Sequence, residues 1–214
     1  MYKYVLFDFD GTLIDTNELI IHSLNEVSRK FFDRDLTDEE LNSILGKYLD
    51  DQMKFLSQAH YPQMVLHYKE CYRSLQDTMV QEFAGVAEML RELRLSGCKT
   101  AIVSAKGRSG IEHGLKLFNL QDYFDVIISA YDIENNKPHP EPALKALAAL
   151  GAPPHEALLV GDSPYDILCG KNAGIRTVLV DWTIFPSHSF ADLNPDYVIK
   201  SPADLVAIVK QGEE

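Results

Sequence analysis

Acidic side chains follow two apolar segments of this 214-residue chain at the points where those segments end. Asp8 and Asp10 lie in DFDGTLIDT directly after YVLF, and Asp162 and Asp166 lie in GDSPYD directly after ALLV. Carboxylate oxygens are the ligands of hard divalent cations, among which Mg²⁺ is the natural candidate. A carboxylate can also act as a nucleophile, a general acid or a general base. Either motif alone would be typical of a turn, but the combination predicts a reactive site.

A hydroxyl group and an ammonium group complete this set of polar side chains. Ser104 follows the segment TAIV, and Lys137 lies in KPHPEP after the segment DVIIS. If the four acids gather in one place with Asp10 protonated, one Mg²⁺ and Lys137 balance the remaining charges. A phosphate group entering such a site would meet a cation and hydrogen-bond donors, which suits phosphoryl transfer.

Short apolar segments that alternate with helical patterns predict how these side chains could come together. Strands are predicted over 4–7, 100–103, 125–128, 157–160 and 177–180. Helices are predicted over 86–95, 108–118, 142–150, 165–172 and 202–210. This order is typical of an α/β domain with a doubly wound parallel sheet. Ligands of such sheets bind beyond the carboxyl ends of the strands, where the polar residues are expected.

Residues 16–80 interrupt the alternation and predict a helical insertion after the first strand. They contain no convincing strand and four amphipathic segments, at 18–32, 38–45, 51–58 and 63–76. Asp15 and Glu18 have the spacing of a capping box at the start of the first helix. Residues 1–15 and 81–214 would then form the catalytic core.

The composition limits the classes of partner. A net charge of −12 disfavours nucleic acid, whose affinity for proteins depends largely on Lys and Arg. No apolar run reaches the roughly 18 residues of a membrane-spanning helix, and the first residues do not resemble a signal peptide. We therefore expect a cytoplasmic enzyme that acts on a small molecule and binds neither membranes nor nucleic acid.

The four motifs, DFDGTLIDT, Ser104 after a strand, Lys137 in KPHPEP, and GDSPYD, together resemble those of the haloacid dehalogenase (HAD) superfamily of phosphatases. The resemblance covers essentially the whole chain and includes the order of the motifs. It implies a Rossmann-like core and a C1-type helical cap, residues 16–80, that closes over the site. DTNELI and KPHPEP are most similar to phosphoglycolate phosphatases and cytoplasmic inorganic pyrophosphatases, and the sequence does not rank these two substrates.

The resemblance implies a role for each acid. Asp8 would attack phosphorus, become an aspartyl phosphate and contact Mg²⁺. Asp10 would be the general acid and then the general base, with its backbone carbonyl on the metal. Asp162 would bind the metal directly, and Asp166 would bind it or orient its waters. Ser163 could support this group or serve only as a helix cap.

The resemblance also implies a phosphate-binding set. Ser104 would donate a hydrogen bond to a phosphoryl oxygen, and Lys137 would neutralise charge between nucleophile and phosphate. Gly11 and Thr12 would shape the first loop, although a simple turn explains them equally well. Many relatives have Asn where this chain has Ala105, which leaves only a backbone amide for the phosphate there.

Two cationic side chains of the insertion, Lys47 beside Gly46 and Arg73, are possible substrate contacts, although most such charges lie on a solvated surface. Dehalogenation would need neither Asp10 nor the GDSPYD acids, so phosphate hydrolysis is favoured. A phosphomutase remains an alternative. A non-enzymatic phosphoacceptor or a binding module is disfavoured, because every catalytic position is present.

Overall fold

The computed structural model describes residues 2–211 of the chain, which form two compact units. The larger unit contains the described residues up to Ile14 and those from Glu82 onward. The smaller unit is Asp15–Gln81.

Six parallel strands form the sheet of the larger unit. The strands of the chain are β1 (Tyr4–Phe7), β2 (Ile14–Asp15), β3 (Gln81–Glu82), β4 (Lys99–Val103), β5 (Val126–Ile128), β6 (Ala157–Gly161), β7 (Arg176–Val180) and β8 (Tyr197–Ile199). The large sheet has the order β5-β4-β1-β6-β7-β8, and β2 pairs with β3 in a separate two-stranded sheet. The first strand therefore lies in the middle, with β4 and β6 in register on its two sides.

Nine α-helices accompany these strands in residues 2–211. They are α1 (Asn17–Phe32), α2 (Asp38–Ile44), α3 (Leu49–Leu56), α4 (Tyr61–Leu75), α5 (Val86–Leu95), α6 (Arg108–Leu117), α7 (Glu141–Leu150), α8 (Pro164–Asn172) and α9 (Pro202–Lys210). None of these helices combines the length and the apolar character that crossing a bilayer would require.

The core of the larger unit forms where helices cover the sheet. Leu6, Val103 and Leu159 point to the face on which α7 and α8 pack, and all three are fully buried. Val5 and Phe7 alternate with Leu6 and are also inaccessible, as expected for a strand covered on both faces. This arrangement confirms the predicted doubly wound α/β fold.

The five predicted strands match observed ones to within about one residue, but β2, β3 and β8 are absent from the prediction. β2 and β3 contain two residues each, and β8 is a short strand with an exposed Val198, so none has the continuous apolar run that marks the central strands. The predicted cap of α9 is present, because the Ser201 amide donates to Asp204 at 2.9 Å.

The smaller unit consists of α1 to α4, in which α1 and α3 both pack against α4. The predicted capping box of Asp15 and Glu18 is wrong. The N-cap of α1 is Thr16, and Asp15 instead accepts a hydrogen bond from the Asn17 amide at 3.2 Å. A capping box does occur at α2, between Thr37 and Glu40.

Truncation of Leu6 should test the central position of β1. Leu6→Ala removes a fully buried side chain between two strands and two helices, and we expect it to lower the free energy of unfolding by about 2–5 kcal/mol. Leu95→Ala at the exposed end of α5 is the matched control, with an expected change within about 0.5 kcal/mol. Urea unfolding measures both, and equal losses would contradict this placement of the core.

Candidate active site

Asp8 lies at the carboxyl end of the central strand. Its amide continues the parallel ladder by donating to the Val160 carbonyl at 2.9 Å. One carboxylate oxygen, Oδ1, accepts a hydrogen bond from the Phe9 amide at 2.7 Å. The residue is 9% exposed, so a small molecule could reach it while most of its surface stays dry. The other oxygen, Oδ2, is in contact with Lys137.

The turn after β1 brings its backbone against Asp162. Gly11 has φ +75°, and a Cβ atom there would lie only 2.5 Å from Asp162 Oδ2. Glycine is therefore required both by the backbone conformation and by the close approach of this carboxylate. Thr12 donates its hydroxyl hydrogen to Asp162 Oδ1 at 3.2 Å. The two residues predicted to shape the phosphate loop thus also fix the position of Asp162.

Lys137 is a buried ammonium with three acceptors. Its Nζ lies 2.5 Å from Asp166 Oδ1 and 3.1 Å from Asp8 Oδ2, and it donates to the Val103 carbonyl at 3.2 Å. Burial alone disfavours the charged form, but Asp166 and Asp8 outweigh burial and raise the pKa of Lys137. Lys137 therefore remains a cation and links the ends of β1 and β4 to the first turn of α8.

Asp166 is completely buried, and both of its oxygens are bound by the protein. Oδ1 contacts Lys137, while Oδ2 accepts from the Ser163 hydroxyl at 2.5 Å and from the Ser163 amide at 3.0 Å. The Asp166 amide in turn donates to Ser163 Oγ at 3.3 Å, so Ser163 is the N-cap of α8. A Cβ atom on Gly161 would lie 2.3 Å from Asp166, so this glycine leaves room for the carboxylate.

Three carboxylates form a cluster that could hold a metal ion. Asp8, Asp162 and Asp166 each offer an oxygen, and these oxygens lie within 4.8 Å of one another. Burial, and then the neighbouring acids, raise the pKa of Asp162 well above its ordinary value. Burial likewise raises the pKa of Asp8 to about 7, although Lys137 opposes this shift. One ammonium does not compensate three buried carboxylates, and a divalent cation with oxygen ligands fits the residues present.

Lys106 contacts both Asp10 and Ser104, and it is not among the predicted site residues. Lys106 Nζ lies 2.9 Å and 3.2 Å from the two carboxylate oxygens of Asp10. The Lys106 amide donates to Ser104 Oγ at 3.2 Å, so this buried hydroxyl accepts one bond and can still donate another. Ala105 between them is half-buried. A cation two positions after the strand-ending Ser104 was the available signal for Lys106.

Comparison of the chain with known proteins shows the family to which it belongs. The family model described as haloacid dehalogenase-like hydrolase matches residues 5–180, which include every site residue above. The chain belongs to this family. The pyrophosphatase PpaX of Bacillus cereus (strain AH820) is 38% identical over 205 residues, which cover 96% of this chain and 95% of that protein. The chain is accordingly a haloacid dehalogenase-type phosphatase.

Solved structures of the family share the fold. A Bacteroides fragilis protein described as a haloacid dehalogenase-like hydrolase has a TM-score of 0.88 and 27% identity, covering 96% of this chain and all of that one. A Lactobacillus plantarum protein described as a phosphoglycolate phosphatase has a TM-score of 0.86 at 22% identity, covering 97% and 99%. At 22% identity, the similarity to the Lactobacillus plantarum protein supports only a shared fold.

The cationic residues predicted as cap contacts of this phosphatase lie in the smaller unit. Lys47 lies between α2 and α3, with its ammonium 5.6 Å from the centroid of the Phe55 ring. Arg73 is exposed near the end of α4. Their contact with substrate stays a prediction.

Removal of the buried ammonium should destabilise the larger unit. Lys137→Met leaves Asp8 and Asp166 without their counter-charge, and we expect a loss of about 3–5 kcal/mol in the metal-free protein above neutral pH. The control is Lys171→Met, because Lys171 is an exposed lysine of the same unit. Urea unfolding measures both variants. A loss below about 1 kcal/mol for Lys137→Met would contradict the central role of this ion pair.

The response to Mg²⁺ should depend on pH. In the metal-free protein the raised pKa values of Asp8 and Asp162 mean that folding takes up protons. The contribution of Asp8 to stability therefore falls as pH rises from the ordinary carboxyl range through about 7, and that of Asp162 also falls with rising pH. A cation must displace these protons at low pH but meets free carboxylates at high pH. We expect Mg²⁺ to raise Tm more at about pH 8 than at about pH 6.

Thermal melting with and without MgCl₂ measures this effect. Asp162→Asn should lose most of the Mg²⁺ response, whereas Asp122→Asn, at an exposed acid of the same unit, should keep it. A Mg²⁺ response that is the same at both pH values and in Asp162→Asn would contradict a metal site at this cluster.

Proposed function

We propose that this protein is a Mg²⁺-dependent phosphohydrolase that acts through a phosphorylated Asp8. The observation that carries the proposal is the position of Asp8, between the Lys137 ammonium on one oxygen and a backbone amide on the other, beside Asp162. A carboxylate held from both sides presents a fixed nucleophile, which lowers the entropic cost of attack on a bound phosphate.

The metal would be held by Asp8, Asp162 and the backbone carbonyl of Asp10. Asp166 would support this group without binding the metal directly, because both of its oxygens already contact Lys137 and Ser163. Mg²⁺, when bound, supplies positive charge that offsets the carboxylates and the phosphoryl oxygens. Ser104 adds a hydrogen bond to the phosphoryl group, and Ala105 offers its amide. Gly11 and Thr12 hold the loop that faces it.

The reaction would proceed in two steps. First, an Asp8 oxygen forms a bond to phosphorus while the bond from phosphorus to the leaving oxygen breaks, and Asp10 gives a proton to that oxygen. Second, water attacks phosphorus while the bond to Asp8 breaks, and Asp10 takes a proton from the water. Inorganic phosphate leaves, and Asp8 and Asp10 return to their starting forms.

Pyrophosphate is the substrate that we propose first. A relative with 38% identity over nearly its full length is named a pyrophosphatase, whereas the similarity to a structure described as a phosphoglycolate phosphatase supports only the fold. Phosphoglycolate and other small phosphate esters are the alternatives within the same chemistry. The net charge of −12 disfavours nucleic acid as a partner.

The smaller unit would act as the cap of this enzyme, residues 16–80, with Lys47 and Arg73 as its contacts to the leaving group. Closure of such a unit can exclude water and select the substrate. A cytoplasmic location is part of the proposal, because pyrophosphate and small phosphate esters are metabolites of that compartment.

Phosphate release from a panel of substrates tests the reaction. The panel contains pyrophosphate, phosphoglycolate, a sugar phosphate and a nucleotide, each with MgCl₂ and with a chelator. We expect hydrolysis only with the metal, with pyrophosphate as the best substrate. Asp8→Asn should lose roughly a thousandfold or more in kcat, because the nucleophile is removed, whereas Asp122→Asn should retain activity.

Three results would overturn parts of this proposal. Full activity of Asp8→Asn would exclude Asp8 as the nucleophile. Full activity with the chelator would exclude the metal. Return of the phosphoryl group to an organic acceptor, without release to water, would replace the hydrolase by a phosphomutase.

A further inference from the structure

Lys106 forms an ion pair with Asp10 in which the ammonium faces both carboxylate oxygens, at 2.9 Å and 3.2 Å. The Lys106 side chain is 14% exposed and the Asp10 side chain is 21% exposed, so solvent screens this pair less than it screens a surface ion pair. Asp10 stands outside the carboxylate cluster of Asp8, Asp162 and Asp166. The carboxylate of Asp10 is therefore oriented by Lys106, outside that cluster.

Backbone contacts on both sides hold Lys106 in place. Its amide donates to Ser104 Oγ at 3.2 Å, and its carbonyl accepts from the Ala130 amide at 3.0 Å. The ammonium also lies 5.8 Å from the centroid of the Phe9 ring, within the range of a cation–π contact. Because these contacts fix the backbone at Lys106, its side chain is held in the direction of Asp10.

Two glycines of α6 make room for this arrangement. Gly110 and Gly114 are four residues apart and share one face of the helix. A Cβ atom on Gly110 would lie 2.9 Å from Lys106 Cε, and one on Gly114 would lie 2.7 Å from Phe9 Cζ. Each interior helix glycine costs about 1 kcal/mol relative to alanine. The helix is therefore less stable than it could be, at the two positions where Lys106 and Phe9 lie against it.

We propose that Lys106 is a positioning residue that fixes the direction of the Asp10 carboxylate for its proton transfers. The proposal rests on the hydrolase function above and concerns both of its steps. In the first step Asp10 gives a proton to the leaving oxygen as the bond from that oxygen to phosphorus breaks. In the second step water attacks phosphorus, its proton passes to Asp10, and the bond from phosphorus to Asp8 breaks. The contact of Lys106 with both oxygens of Asp10 holds one orientation of this group.

The test is Lys106→Met, which keeps most of the side-chain volume and removes the charge. A misdirected Asp10 should slow the proton transfers without weakening substrate binding. With pyrophosphate and Mg²⁺ we expect kcat to fall about tenfold while KM stays within about twofold. Acid-quenched samples with labelled pyrophosphate show whether acyl phosphate forms on the enzyme.

Three further variants separate positioning from a merely structural role. Lys106→Arg should restore much of kcat, because a guanidinium can pair with both oxygens of Asp10. Gly110→Ala keeps the lysine and favours the helix, but its methyl group displaces Lys106 Cε, so kcat should fall in the same direction by a smaller factor. Lys116→Met, at an exposed lysine in the last turn of α6, should match the wild type.

A double variant shows whether Lys106 acts through Asp10. If it does, Lys106→Met should cause no further loss of kcat in an Asp10→Asn background, whereas independent effects would multiply. Multiplied losses would overturn the proposal. So would a raised KM with kcat unchanged, which would make Lys106 a substrate contact, and so would wild-type kinetics in both Lys106→Met and Gly110→Ala.

Failure of the positioning role can be told apart from failure of the hydrolase function. If Asp8→Asn is inactive while Lys106→Met behaves as the wild type, only the positioning role is excluded. If Asp8→Asn is active and no acyl phosphate forms in any variant, the hydrolase mechanism itself fails. A Lys106→Met variant that does not fold, as seen by thermal melting, leaves the decision to the kcat of Gly110→Ala.

Discussion

The balance of charge around Lys137 is the constraint on which this site depends. Two buried carboxylates, those of Asp8 and Asp166, share one buried ammonium, and Asp162 adds a third negative group nearby. Neither the acids nor the lysine could stay charged in so dry a place alone. The remaining excess of negative charge would favour a divalent cation. Burial, together with the neighbouring acids, raises the pKa values of Asp8 and Asp162.

The sheet order explains why these groups can meet. The central strand β1 carries Asp8, its neighbour β6 leads to Asp162, and Lys137 reaches the end of β4 on the other side. Parallel strands in register end at one edge, so three distant chain segments deliver their polar residues to one place. Gly11 and Gly161 then permit approaches to Asp162 and Asp166 that a Cβ atom would block. The crowding of the site is thus a property of backbone geometry as much as of charge.

Much of this arrangement follows from the sequence, and the elements that depart from the predictions do so for identifiable reasons. Strands β1, β4, β5, β6 and β7 are predicted because their apolar runs are continuous, whereas β8 is a short and partly exposed edge strand, and β2 and β3 contain only two residues each. The capping-box spacing predicts Asp15 as the cap of α1, but the cap is Thr16, one residue later, since helix boundaries depend on contacts beyond the local pattern. Lys106 was overlooked because a lysine in a polar loop is usually solvated.

By itself, the sequence determined the fold class, the order of the motifs and the acidic and hydroxyl residues at the strand ends. These follow from local patterns: apolar periodicity, and polar residues where buried strands stop. The tertiary structure alone decided which distant partners these residues have: Lys137 between Asp8 and Asp166, Thr12 on Asp162, and Lys106 on Asp10. Partners that are distant in the chain, such as Thr12 and Asp162, are brought together by strand register and by the space that glycines leave. Burial then determines how strongly each charge interacts with its neighbours.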